Sequence, residues 1–361
     1  MKDVSPMRVL IITPTALPRV SGNAQTAERW RKHLALLGLY VSVLEASRVN
    51  STSARAVLKE LRPDLVHIHH LYKGARGLFS EKGFLLEGIP LVVSPGGTDL
   101  HQDVDEEGRR ELIRELMEKA SFIVVQEPEM MGKVRRLWPH LRSKTVFVPK
   151  GVHFLGDGRF PLRERLGAGQ DHFVFFLPSG VRPVKGNLEW LRSMDKVYRL
   201  RPHVRVALAG PVLDIHYYGH LQKELARSEE FARYLGTIPP SSMRGAYMEA
   251  NVVVSASISE GLSNALLEAA SLGIPLLATD VPGNRYALLG EGGEERCGLL
   301  YDRDDPEDLV RKALALIDHE GLREELSRAG KAKIERYHNP LSRRLVSSKD
   351  SMKRQWIDSE G

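Results

Sequence analysis

Short apolar runs alternate with amphipathic stretches from one end of the chain to the other. Continuous apolar runs predict strands buried on both faces, and apolar residues three and four apart predict helices. On this basis strands are expected over 8–13, 41–44, 64–69, 90–94, 122–125 and 145–148. Helices are expected over 24–37, ending at Gly38, over 54–61, stopped by Pro63, and over 106–120. After 150 the pattern repeats, with strands over 173–177 and 204–210, near 231–235, and over 252–256, 276–279 and 298–301. Helices are expected over 188–200, 306–319 and 322–337, and the last segment, about 339–356, is basic and amphipathic. Strand and helix in strict alternation predict parallel α/β architecture.

With 361 residues the chain is long enough for two such domains. A hydrophobic content of 42% supports two real cores. No apolar run reaches the roughly 18 residues that a membrane helix needs. The first residues pass straight into a strand and do not resemble a signal peptide. A single cysteine, Cys297, excludes an internal disulfide and a cysteine-based zinc site. A cytoplasmic setting is expected from these features together.

The net charge of +6 admits nucleic acid, an anionic membrane surface or phosphate-rich substrates as partners. No nucleic-acid-binding motif occurs and only 7% of residues are aromatic, so nucleic acid is not expected. Two stretches, Arg29-Trp30-Arg31-Lys32-His33 and Lys133-Val134-Arg135-Arg136-Leu137-Trp138, mix cations with an indole. They read as solvated helix faces with a partly packed Trp, or as surfaces that rest on anionic lipid.

The densest chemistry lies in Glu260-Gly261-Leu262-Ser263-Asn264-Ala265-Leu266-Leu267-Glu268, which follows the apolar run over 251–257. Glu260 then falls in a strand-to-helix turn at the carboxyl edge of a sheet, where open α/β sheets bind ligands. The amides of Ser263, Asn264 and Ala265 open the helix and suit an anion. Glu268 lies two turns along on nearly the same face. A phosphate flanked by two acids able to accept from sugar hydroxyls suggests a nucleoside diphosphate sugar.

This stretch resembles the E-x7-E motif of the family 4 retaining glycosyltransferases. The resemblance implies a GT-B fold, with two Rossmann-like domains facing a central cleft. Residues 1–150 would form the acceptor-side domain and 151–338 the nucleotide-sugar domain. Pro149-Lys150-Gly151-Val152 resembles the hinge between them, and 339–361 would cross back onto the first domain. Glu260 would hold the donor sugar, Glu268 the ribose, and the backbone of Gly261 and Leu262 through Ala265 the diphosphate. No cofactor and no metal is implied, and the leaving phosphate itself helps to take the acceptor proton.

Arg182-Pro183-Val184-Lys185-Gly186 follows a strand and precedes a helix. Two cations there would clamp the diphosphate, as the family's Arg and Lys-Gly do. Gly22 and Asn23 stand where the family places a glycine-bearing first loop. Gly210, and Ile238 beyond the 231–235 strand, would cradle the nucleotide. Ser94-Pro95-Gly96-Gly97-Thr98-Asp99 resembles the family's His-Gly-x-Asp segment, with Gly96 where the histidine stands. Asp99 is expected to orient the acceptor or the glycine loop, and His101 is the candidate for the missing imidazole if one is needed. His69, closing a strand with His67 and His70 nearby, is expected to line an acceptor pocket. The expected activity is retaining hexosyl transfer to a glycan, lipid or small-molecule acceptor. A nucleotide-sugar-binding protein without turnover, or an epimerase of the same fold, remains the alternative.

Overall fold

The computed structural model describes residues 6–80, 83–86, 88–290, 293 and 295–339. The segment expected to cross back, from 340 onward, lies outside the described residues. Two compact units emerge: Met1–Phe147 with Gly210–Leu213 and Ser259–Leu262, and Val148–Ala209 with Asp214–Ile258 and Ser263–Gly361.

The first unit carries β1 (Arg8–Thr13), β2 (Tyr40–Glu45), β3 (Leu65–His69), the short strands β4 (Phe79–Ser80) and β5 (Gly83–Phe84), β6 (Leu91–Ser94), β7 (Phe122–Val125) and β8 (Thr145–Phe147). Its sheet has the order β2-β1-β3-β6-β7-β8, every pair parallel. Among the described residues only β4 and β5 pair antiparallel, apart from the main sheet. The order reverses between β1 and β3, so the crevice of this sheet lies beyond their carboxyl ends. The first helix, Gly22–Leu36, starts two residues earlier than the apolar pattern predicts. Ser21 caps it by accepting the Ala24 N–H at 3.1 Å.

The second unit carries β9 (Phe173–Pro178), β10 (Val204–Ala209), β11 (Ala232–Tyr234), β12 (Val252–Ser255), β13 (Leu276–Thr279) and β14 (Gly298–Tyr301). The order is β11-β10-β9-β12-β13-β14, again all parallel. The reversal falls between β9 and β12. All four residues of β12 and the first five of β9 are buried, as strands covered by helices on both faces must be. Phe175, Val206 and Val254 pack on one face with Leu191 and Met194 of the helix Asn187–Leu200.

The helix Glu320–Lys333 runs into a π-helical turn, Ile334–His338. His338 donates from Nδ1 to the Lys150 carbonyl at 2.8 Å, and its own carbonyl accepts the Val152 N–H at 2.9 Å. Nothing among the described residues reaches its buried Nε2. Burial lowers the pKa of His338 to about 4. Below about pH 6.5 the unfolded chain therefore takes up a proton that the folded chain refuses. Stability falls as pH drops from there towards 4. Between pH 7 and 5 this group is expected to remove about 2 kcal/mol, and His338→Gln should abolish that share. Urea unfolding at both pH values checks it; an equal loss in wild type and variant would refute the assignment.

Candidate active site

In the second unit the strands at the reversal point carry the residues singled out by sequence. β9 leads into Ser179–Arg182, then a 3-10 turn, Pro183–Lys185, and Gly186 opens the helix Asn187–Leu200. β12 leads through Ala256–Ile258 towards Glu260 and the helix Asn264–Ser271. The two exits are joined by backbone, because the Ile258 N–H donates to the Val184 carbonyl at 2.9 Å. Gly186 sits at φ +59, and a Cβ built on it would lie 2.2 Å from the Ala256 oxygen. The Lys185 turn is thus pressed against the strand exit that leads to the acids.

Arg182 occupies the residue before that turn in extended conformation. Its Nε is buried and finds no acceptor among the described residues. A buried guanidinium nitrogen without an acceptor fits a site that an anion completes. Glu268 is 4% exposed, between Leu267 and Ala269 on the helix Asn264–Ser271. Ser263 precedes that helix with no side-chain cap, at the end of a helix where anions are favoured.

A buried polar network steadies β12's exit from the other side. Thr279 Oγ1 donates to the Ser257 carbonyl at 2.6 Å, and Asn284 Nδ2 donates to Thr279 Oγ1 at 3.0 Å and to its carbonyl at 3.1 Å. A fully satisfied network of this kind rigidifies its surroundings. At the start of the helix Asn187–Leu200, the Tyr217 hydroxyl accepts the Leu188 N–H and donates to Glu189, both at 2.9 Å. Sequence reading did not identify Asn284 or Tyr217 as supports: Tyr217 meets partners 28 and 29 residues away, and Asn284 acts through Thr279 on the Ser257 carbonyl of another strand exit. Ile238 is 2% exposed, so its side chain does not meet a ligand.

Contacts group Gly210 and the segment holding Glu260, Gly261 and Leu262 with the first unit, although in sequence they continue β10 and β12 of the second. Gly210 has φ +151, a conformation that favours glycine directly after β10.

In the first unit Asp99 departs from one of its two expected roles. It is wholly buried, and its carboxylate accepts the N–H groups of Leu71 at 2.7 Å, Gly96 at 2.9 Å and Leu100 at 3.1 Å. A carboxylate committed to three backbone donors holds the glycine loop and does not face an acceptor. His101 pairs with Glu127, Nε2 to Oε1 at 3.4 Å, and this hydrogen bond raises its pKa. His69 is 3% exposed and meets the edge of Trp30, whose indole stacks on His67 at 4.4 Å. His67 in turn bonds Ser94 Oγ at 2.7 Å, and burial lowers its pKa to about 4. The three histidines therefore form packed contacts, and His69 is too enclosed to offer an open pocket wall. Gly22 and Asn23 lie in the first turn of the helix beyond β1.

The two basic stretches turn inward in part, while Arg135, Arg136 and Leu137 stay exposed. Arg29 is buried, Trp30 packs on the histidines, and Trp138 is 5% exposed. Trp138 is thus withheld from the surface and Trp30 is partly packed, as a solvated helix face with an inward indole would have it. No described helix is long and apolar enough to cross a membrane.

Comparison with known proteins meets this architecture in both halves. The family described as glycosyl transferases group 1 matches residues 171–319, and the glycosyl transferase 4-like domain matches residues 7–151. A Xenopus tropicalis protein, glycosyltransferase 1 domain-containing protein 1, is 26% identical over 92% of this chain and 94% of its own. The D-inositol 3-phosphate glycosyltransferase of Kineococcus radiotolerans is 26% identical over 73% of this chain and 66% of its own. Among solved structures, sucrose-phosphate synthase from Thermosynechococcus elongatus superposes with a TM-score of 0.78 at 15% identity, covering 98% of this chain and all of that one. Anabaena HepE, solved with UDP-glucose, gives 0.71 at 16% identity with the same coverage. With both halves matched and the fold shared, the chain belongs to the group 1, GT4-like glycosyltransferases of GT-B fold.

Proposed function

We propose that this glycosyltransferase moves a hexose from a nucleoside diphosphate sugar to an acceptor hydroxyl, retaining anomeric configuration and using no bound metal. The observation that supports this most directly is the joining of the Arg182–Lys185 turn to the β12 exit at the sheet's reversal point. The turn that carries Arg182 and Lys185 is thereby tied to the strand exit that leads towards Glu260 and Glu268, which supports this reading. In this reading Lys185, Arg182 and the amides around Asn264 take up the charge that develops on the leaving diphosphate. Glu260 holds donor hydroxyls and the buried Glu268 holds the ribose. The bond from the anomeric carbon to the diphosphate breaks, and the acceptor oxygen bonds the same face. Its proton passes to the departing phosphate.

UDP-glucose, the ligand of HepE, is the first donor to test. UDP release should survive EDTA, and NMR of the product should show the donor's α configuration. A β product, or activity abolished by EDTA and restored by manganese, would overturn the mechanism. A nucleotide-sugar-binding protein would bind the donor without releasing UDP, and an epimerase would convert it with no acceptor present.

The two acids should separate kinetically. Glu268→Gln is expected to raise KM for the donor and weaken binding of free UDP, because a ribose contact is made in ground and transition states alike. Glu260→Gln is expected to lower kcat with smaller effect on UDP. Calorimetric titration with UDP decides: equal affinity in wild type and Glu268→Gln would remove the ribose role.

A further inference from the structure

Gly96 leaves a space beside the loop beyond β6, and His70 fills it. His70 follows β3 at φ +66, one of two non-glycine residues with positive φ among those described. That conformation costs a non-glycine residue about 1–2 kcal/mol, so the surroundings must enforce it. They do so through several contacts. The His70 N–H extends the sheet to the Ser94 carbonyl at 2.9 Å. Nδ1 accepts the Lys73 N–H at 3.4 Å, so Nε2 carries the proton and donates to Thr98 Oγ1 at 2.9 Å. A Cβ on Gly96 would lie 3.0 Å from His70 Cδ2 and 3.2 Å from its Cβ. The ring therefore lies against Gly96, and Asp99, whose carboxylate is 3.6 Å from His70 Nδ1, ties the same turn through the Gly96 N–H.

We infer that His70 is the positioning residue of the Gly96–Thr98 turn, an imidazole delivered from β3 into the place that a side chain at position 96 would occupy. His70 is 2% exposed, too enclosed to serve as a substrate contact. It acts by fixing Gly96 and Thr98, both partly exposed at the carboxyl edge of the first sheet, where a ligand of this unit would sit. The assignment of that ligand as the acceptor rests on the function proposed above. The chemistry required is narrow: a planar group with a donor at the Nε2 position and an acceptor at Nδ1.

The experiment uses the full chain and three variants: His70→Ala, His70→Gln, and the exchange of His70→Gly with Gly96→His. The exchange relieves the positive φ and returns an imidazole to the same space. Amide hydrogen exchange across 95–101 and the nitrogen shifts of labelled imidazoles are measured alongside UDP release from UDP-glucose, with and without acceptor. His70→Ala should quicken exchange in 95–101 at least tenfold and lower kcat. The affinity for free UDP should stay within about twofold, because Arg182, Lys185 and Glu268 lie in the second unit. The exchanged variant should recover protection and most of kcat, and His70→Gln part of both. The labelled spectrum should show a neutral His70 protonated at Nε2. Unchanged exchange in His70→Ala, or an exchanged variant no better than His70→Ala, would overturn the inference. If the wild type releases no UDP from UDP-glucose, the donor reading fails while the exchange and spectral arms still decide the role of His70.

Discussion

Lys185→Ala is expected to lower kcat/KM on the order of 10²-fold or more while leaving the melting temperature within about 2 °C of wild type. The diphosphate gains negative charge as the bond to the sugar breaks. A cation held beside it stabilises the transition state more than the bound donor. Lys185 closes the 3-10 turn Pro183–Lys185, whose backbone is fixed by the Lys185 N–H to Arg182 carbonyl bond at 3.0 Å and by the Ile258 N–H to Val184 carbonyl bond. Those bonds use main-chain atoms, so removing the side chain leaves the turn in place. Lys185→Arg should recover little, because a planar guanidinium is larger and presents its donors differently from an ammonium. Steady-state UDP release from UDP-glucose checks this, and a kcat/KM within threefold of wild type would refute the role.

Gly186→Val should be the most damaging single substitution in the same turn, through stability as well as chemistry. The left-handed φ of +59 costs about 1–2 kcal/mol for any residue with a Cβ. The atom added would also stand 2.2 Å from the Ala256 carbonyl oxygen, a backbone atom that cannot swing aside. Relief requires the turn to lift from β12 and break the Ile258–Val184 bond, for a total loss of roughly 3 kcal/mol or more. The expected fall in melting temperature is about 6 °C or more. Gly38→Val provides the contrast: its φ is +84, yet nothing lies within 4 Å of the added atom. That variant should show the conformational cost alone. Equal losses from the two substitutions would mean that contact with Ala256 is not what constrains position 186.

Much of the architecture was legible because the apolar runs of β9 and β12 are buried on both faces, and continuous runs flanked by glycine and proline are hard to mistake. The acid-bearing helix was legible for a related reason: Glu260 and Glu268 bracket a strand-to-helix turn whose type follows from its flanks. What the chain order concealed was which groups meet across it. Asp99 looks from its motif like a residue turned towards substrate, but three backbone donors from Leu71, Gly96 and Leu100 hold its carboxylate inside. His70 looks like one of three similar strand histidines, and only its backbone conformation sets it apart. Trp30 and Trp138 read as part of basic surfaces because helical periodicity does not say how far an indole reaches inward. The helix Gly22–Leu36 began early because Ser21, a strong cap, outweighed the apolar pattern that starts at Ala24.

The hydrogen bond from Ile258 to Val184 also bears on how the enzyme can be altered. It fixes the register between two chain segments more than seventy residues apart, so the turn at 182–186 cannot change length without shifting its cation relative to β12. Libraries meant to change donor preference should keep that length constant. They should draw their diversity from side chains beyond β10, at Pro211 to Leu213, and keep the length there as well, because the Asp214 N–H donates to the Val181 carbonyl at 3.1 Å.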